Sequence, residues 1–337
     1  MKILVTGAAG FIGFHICLKL AKQGHDVYGI DNINDYYDPK LKYDRLNELG
    51  FNTVDVKLFK YEVQSSKFNS LRFSRIDLVD YESINNLFKI EQFEVICNLA
   101  AQAGVRYSIE NPISYLKSNI VGFTNIAECC RIYNVKKIFY ASSSSIYGER
   151  KKFPAKEDDC VNPNNFYSMS KKNNEDIALI YSHYYNIQFI GLRFFTIYGE
   201  WGRPDMLLIK YINAALNKKV FFLNNFGNHF RDFTYIKDVT KNLKLLLNKK
   251  FRKKNVILNV CSNKPINIIK VLTDLDKEFG RPIIKLRSKQ NADVFKTHGC
   301  NKKLIKITKF KKFTNIKVGI LNLIQWVKTN QNLIKSI

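Results

Sequence analysis

The chain has 337 residues, 46% of them hydrophobic, enough to bury a sizeable core and too apolar for a disordered or fibrous protein. A formal charge of +25 invites an anionic partner, yet no zinc-finger, RNP or helix-turn-helix signature accompanies it, so no nucleic acid is expected. Seven scattered cysteines form no CxxC pair and share no ligand spacing with histidine, which predicts a reducing, cytoplasmic setting and no metal.

The opening run Met1-Lys2-Ile3-Leu4-Val5-Thr6-Gly7 is too short, and too soon followed by glycine, for a signal peptide or anchor. No later segment reaches membrane-spanning length without charges, so a soluble protein is expected. Short β-branched runs then alternate with helical patterns: Lys2 to Thr6, Asp26 to Ile30, Ser70 to Asp77, Val95 to Ala100, Lys137 to Ser142 and Gln188 to Phe194. That rhythm predicts an α/β fold with a Rossmann-type doubly wound parallel sheet over residues 1–195. Beyond 195 Gly and Asn punctuate the chain and helical patterns dominate. Residues 196–337 therefore read mainly as a smaller lobe for the substrate, with a return to the first domain near 232–247.

The first predicted strand ends in Gly7-Ala8-Ala9-Gly10-Phe11-Ile12-Gly13, followed by an amphipathic stretch from Phe11 to Gln23. Glycines permit a tight turn and close backbone approach to a pyrophosphate, while a helix N-terminus offers free N–H groups. Asp31 closes the second strand, where a carboxylate can accept from ribose hydroxyls and repel a 2′-phosphate. With Asn32 beside it supplying no positive charge, the expected cofactor is NAD. Asp77 and Leu78 end the third strand and are candidates for the adenine edge; the small residues around Leu99, Ala100 and Ala101 let backbone lie against the cofactor.

Ser142 to Ser145 follow the fifth strand, and Tyr167-Ser168-Met169-Ser170-Lys171 opens a helix. Tyr and Lys four apart share a helical face. A tyrosine of pKa about 10 is a poor base at neutral pH, and a neighbouring ammonium favours its phenolate, so Tyr167 can take a proton from a hydroxyl. Together these elements resemble the short-chain dehydrogenase/reductase superfamily, and its extended branch puts the catalytic hydroxyl on Ser143.

Four further stretches sharpen the resemblance: Asp31 to Asp38, Ala100 to Ser108, Gly202-Arg203-Pro204-Asp205-Met206 and Arg231-Asp232-Phe233-Thr234-Tyr235-Ile236 are similar to the motif set of UDP-glucuronate 4-epimerases. The match runs from residue 1 to about 245 and fades beyond. It implies a transient hydride transfer to bound NAD and a 4-keto sugar nucleotide. It also implies that Asn119 helps set the nicotinamide environment, that Lys171 holds the nicotinamide ribose, and that Thr196 and Arg231 face the substrate diphosphate. Arg203, with Ser144 or Ser145, is implied near the hexuronate carboxylate. Related dehydratases carry an Asp-Glu pair at the places of Ser144 and Ser145, and related decarboxylases a Glu at that of Ser145, so both reactions are disfavoured. A 4-epimerase of neutral UDP-hexoses or UDP-N-acetylhexosamines stays open, as does a non-catalytic NAD- or RNA-binding protein. The resemblance also implies a homodimer packed through Tyr115 to Tyr133 and Ser168 to Tyr185.

Overall fold

The strands β1 (Lys2–Thr6), β2 (Asp26–Asp31), β3 (Glu62–Gln64), β4 (Leu71–Arg75), β5 (Val95–Asn98), β6 (Lys137–Ser143) and β7 (Gln188–Phe194) follow one another through the first half of the chain. The second half adds β8 (Thr196–Tyr198), β9 (Val220–Asn224), β10 (Phe230–Tyr235), β11 (Asn255–Val260), β12 (Pro265–Asn267) and β13 (Ile283–Arg287). The computed structural model describes residues 1–290 and 293–337.

Eight strands form the main sheet in the order β11-β7-β6-β5-β1-β2-β4-β3, all parallel except β3. From β1 the chain steps first to β2 on one side and later to β5 on the other, so a crevice opens between the helices at the C-terminal ends of β1 and β5. Strands β1, β2 and β6 are buried on both faces, which is why they read as almost continuous apolar runs rather than alternating ones.

Six strands lie where the sequence places them, and their ends differ for local reasons. Predicted to run to Ala100, β5 stops at Asn98 because the N–H groups of Leu99 and Ala100 turn to the Thr6 hydroxyl, at 3.1 and 3.0 Å. The strand predicted to reach Asp77 ends at Arg75, and the Asp77 carboxylate instead accepts from the Val79 N–H at 3.1 Å. The first helix spans Phe11–Ala21 and is terminated before Gly24, which sits at φ +73°.

Two strands of the main sheet were not anticipated. The three-residue β3 is too short to show a period, and β11, itself the apolar run Asn255–Val260, follows a lysine-rich stretch beyond the predicted return. The helix Ile236–Leu247 packs on Phe11–Ala21, and β11 then pairs with β7, so the chain rejoins the large sheet through a helix and a strand. The second lobe contains strand as well as helix: β12-β10-β8 form one small sheet and β13-β9 another. No helix among the described residues is long and apolar enough to cross a membrane.

Candidate active site

Thr6 fastens the crevice. Its hydroxyl donates to the Asn98 side chain at 2.6 Å while accepting the two N–H groups beyond β5. Gly7 must then turn at φ +72° under that backbone, where a Cβ would come within 2.8 Å of the Ala100 nitrogen. A Cβ on Gly13 would lie 2.0 Å from the Gly7 carbonyl oxygen, so helix and loop pack at a distance only glycine allows. The helix Phe11–Ala21 starts at Gly10 with no side-chain cap, leaving N–H groups of its first turn for an anion.

Asp31 is almost wholly buried, and its two oxygens accept from the Ala9 N–H at 3.2 Å and the Ile33 N–H at 2.8 Å. Those bonds fix the carboxylate at the strand end with acceptor capacity to spare. Asn32 donates to Asp77 at 2.9 Å, so Asp77 braces the Asn32 side chain as well as its own turn. Leu78, Leu99, Ala100 and Ala101 complete this half of a cleft of about 530 Å³.

At the other end, Ser143 closes β6 and its hydroxyl oxygen accepts the Ser145 N–H at 3.1 Å, which leaves its proton to donate. Asn165 caps the helix Phe166–Tyr184, reciprocally with Ser168, and the helix carries Tyr167 and Lys171 on its first turns facing β6. The Lys171 ammonium donates to the Ala141 carbonyl at 2.9 Å. Burial pushes Lys171 down to about 7. Burial also pushes the Tyr167 phenol above its ordinary value, opposed by a hydrogen bond from Ser143 and by the charge of Arg203. Burial therefore outweighs the Ser143 hydrogen bond and the Arg203 charge at the tyrosine.

The second lobe supplies two guanidinium groups of different character. Arg203 is already bidentate on Asp205, at 2.9 and 2.6 Å, and Tyr36 donates to the same carboxylate at 3.2 Å. Although burial disfavours charge on either partner, the pair keeps both ionised. Arg231 donates to the Phe230 and Phe295 carbonyls, and no described carboxylate forms a salt bridge with it. Burial lowers it to about 10. Thr196, at the start of β8, and the hydroxyls of Ser144 and Ser145 line the same space.

A family model, the NAD dependent epimerase/dehydratase family, matches residues 3–261. The chain belongs to that family. It is 39% identical to the protein CapI of Staphylococcus aureus, over 97% of this chain and 98% of that one. It is 36% identical to UDP-glucuronate 4-epimerase 4 of Arabidopsis thaliana, over 97% of this chain and 75% of that protein. Among solved structures, UDP-glucuronic acid 4-epimerase from Bacillus cereus in complex with UDP-glucuronic acid and NAD aligns with a TM-score of 0.86 at 26% identity, covering 98% of this chain and all of the other. The family's cofactor fits the residues present: glycines where a Cβ would close the cradle, a fixed carboxylate at Asp31 and a buried amine at Lys171.

Within this family member every site residue named from sequence lines the cleft except Asn119. Its side chain is buried behind the wall, accepting the Gln102 N–H at 2.7 Å and donating to the Gln102 carbonyl and to Ser170. Any influence on the cofactor passes through the Gln102 backbone and through Ser170 on the helix of Tyr167 and Lys171. Sequence reading missed Arg45, whose buried guanidinium joins the Ala9 carbonyl to those of Trp201 and Gly202 and so ties the glycine loop to the second lobe. It also missed Glu175, although Glu175 continues the four-residue spacing of Tyr167 and Lys171 on one helical face. That spacing was the available signal; for Arg45, on a polar helix, there was none.

Proposed function

We propose that this chain interconverts UDP-glucuronate and UDP-galacturonate by inverting C4. The observation that carries the reading is the meeting of Ser143, Tyr167 and Lys171 in the cleft that the glycine loop and Asp31 also line, beside serines where an eliminating or decarboxylating enzyme would need an acid or base. When bound, NAD takes up the C4 hydride and returns it. Tyr167 receives the proton of the C4 hydroxyl, helped by Lys171 and by the hydroxyl that Ser143 directs at the same oxygen. Arg231, which forms no salt bridge with a described carboxylate, holds the diphosphate while the sugar ring turns over.

The intermediate is a β-keto acid, which loses CO₂ when its carboxylate bond aligns with the ketone. Asp205 already neutralises Arg203, so the hexuronate carboxylate is held chiefly by the Ser144 and Ser145 hydroxyls, with Arg203 behind them. A charge-neutral Arg203–Asp205 pair also suits an uncharged hexose. That observation keeps neutral UDP-hexoses and UDP-N-acetylhexosamines as a second reading, separable by comparing their turnover with that of UDP-glucuronate. We further propose a cytoplasmic homodimer that supplies uronate for a surface polysaccharide. The half-exposed Ile113, Leu116, Val121, Leu179 and Ile180 offer the apolar face for its contact.

NMR of the purified protein with UDP-glucuronate, without added NAD, tests the assignment through the anomeric and H4 signals. Appearance of UDP-galacturonate is expected. Unchanged spectra, even after NAD is added, would sink the hexuronate reading.

A further inference from the structure

The positive charge is not spread along the chain. The first 238 residues hold 30 cations against 25 carboxylates, whereas residues 239–337 hold 24 against 4. Within that last part the excess is gathered again. Residues 239–260 carry seven cations and residues 301–312 six, with no carboxylate in either segment. A uniform lysine bias would not produce this division.

The fold brings the two segments together. The helix Lys302–Thr308 packs against both the helix Ile236–Leu247 and β11, the outermost strand of the large sheet. Lys241 of one segment lies 4.6 Å over the Phe310 ring of the other. The connection before β11 is pinned in place: Lys137 donates to the Leu247 and Lys249 carbonyls at 3.0 and 3.1 Å, and Gln188 to those of Phe251 and Lys253 at 3.1 and 3.2 Å. Lys249, Lys250, Arg252, Lys253 and Lys254 are thereby fixed at the N-terminal ends of β6 and β7, opposite the cleft. None of the thirteen side chains pairs with a carboxylate among the described residues.

We propose that this edge of the sheet docks on an anionic lipid surface, leaving the mouth of the cleft open to solution. Two features favour a bilayer over RNA. Neither segment itself exposes a large aromatic side chain among its cations, the exposed Tyr184 and Tyr185 ending the helix before β7, so a stacking platform is not interleaved with the charge. All but one of the cations are lysines, compact point charges without the planar fork of arginine, and they suit a diffuse anionic surface.

The test is co-sedimentation of the full-length protein with vesicles of phosphatidylcholine alone or with about a third phosphatidylglycerol, at about 0.1 M and about 0.5 M NaCl. The protein is expected to pellet only with the anionic vesicles and to be released by the higher salt. Replacing Lys249, Lys250, Arg252, Lys253 and Lys254 with Gln is expected to lower partitioning at least about tenfold, since each surface cation contributes about a factor of five. Turnover and melting temperature should stay unchanged. A matched variant, with Lys57, Lys60, Lys67, Lys89 and Lys151 changed to Gln, should keep its binding. Equal loss in both variants, no pelleting of the parent, or tighter retention on single-stranded RNA than on anionic vesicles at the same salt would each overturn the proposal.

Discussion

Glu175 and Arg193 face each other beside β6, joined by guanidinium donations of 2.9 and 2.8 Å, with both side chains almost fully buried. The same carboxylate accepts the Ser142 hydroxyl at 2.6 Å, and Arg193 reaches on to the Tyr147 hydroxyl at 2.8 Å. One buried pair thus ties the end of β6, next to Ser143, to the helix that carries Tyr167 and Lys171.

Removing half of such a pair leaves an uncompensated buried charge, which costs about 3–5 kcal/mol. Glu175→Gln is expected to lower the urea midpoint markedly and to reduce kcat more than it raises KM for the sugar nucleotide, because the proton-transfer groups lose their mutual register. Glu175→Leu combined with Arg193→Met should be less destabilised than Glu175→Gln alone. If the double variant is the weaker of the two, the pair contributes net stability and the desolvation argument fails.

Lys171 makes a pH-dependent contribution to stability with a definite sign. Its folded-state value, about 7, lies below the ordinary 10.5 of the unfolded chain. Between those limits the unfolded chain binds more protons, so stability rises with pH; the contribution is complete above about 10.5 and is lost as pH falls through 7. Lys171→Met removes the penalty of a buried ammonium. In nucleotide-free protein it should therefore exceed the parent in urea midpoint at pH 6, by a margin that shrinks as pH rises from 7 towards 10, while epimerisation is abolished. A margin independent of pH would show that the amine is not titrating where the geometry places it.

Gly13→Ala tests the cofactor cradle. The added methyl would meet the Gly7 carbonyl oxygen at 2.0 Å, and neither backbone can retreat, because Gly7 is held beneath Ala100. The variant is expected to purify without NAD, measured on nucleotide released by acid, and to be inactive while keeping its circular dichroism spectrum. Full retention of nucleotide would mean that the loop relaxes and that close packing is not what holds the pyrophosphate.

The parts legible in sequence are those where one local pattern fixes one geometry. Glycines at a strand-to-helix turn, Asp31 at a strand end, and Tyr167 with Lys171 one turn apart each announce themselves, and six strands of the large sheet follow from β-branched runs buried on both faces. What escaped depends on partners far along the chain. Arg45 can tie the glycine loop to Trp201 and Gly202 only because those residues come to meet it. Asn119 looks like a cleft residue until its amide is seen committed to Gln102. Strand β11 is itself an apolar run, Asn255–Val260, behind a cluster of lysines, but its place at the edge of the large sheet shows only in its pairing with β7. The resemblance already gives Arg203 and Arg231 different ends of the substrate; what it does not show is the division in their pairing, Arg203 bidentate on Asp205 and Arg231 on backbone carbonyls.

That division gives the sharpest test of the substrate site. Arg231 is half-buried, lowered to about 10 by that burial, and makes no salt bridge to a described carboxylate, so its charge is available to a diphosphate. A hydrogen bond to a charged group contributes about 1.5–3 kcal/mol, or roughly 10- to 150-fold in affinity. Arg231→Ala should raise KM for the sugar nucleotide, and the inhibition constant of UDP, by a factor in that range while changing kcat little, because the lost contact binds ground state and transition state alike. Arg203→Ala should behave differently: it leaves Asp205 unpaired at the sugar end, so kcat should fall and inhibition by UDP should barely move. If the two variants weaken UDP equally, Arg203 also serves the diphosphate, and the assignment of the sugar end to Ser144, Ser145 and Arg203 would have to be redrawn.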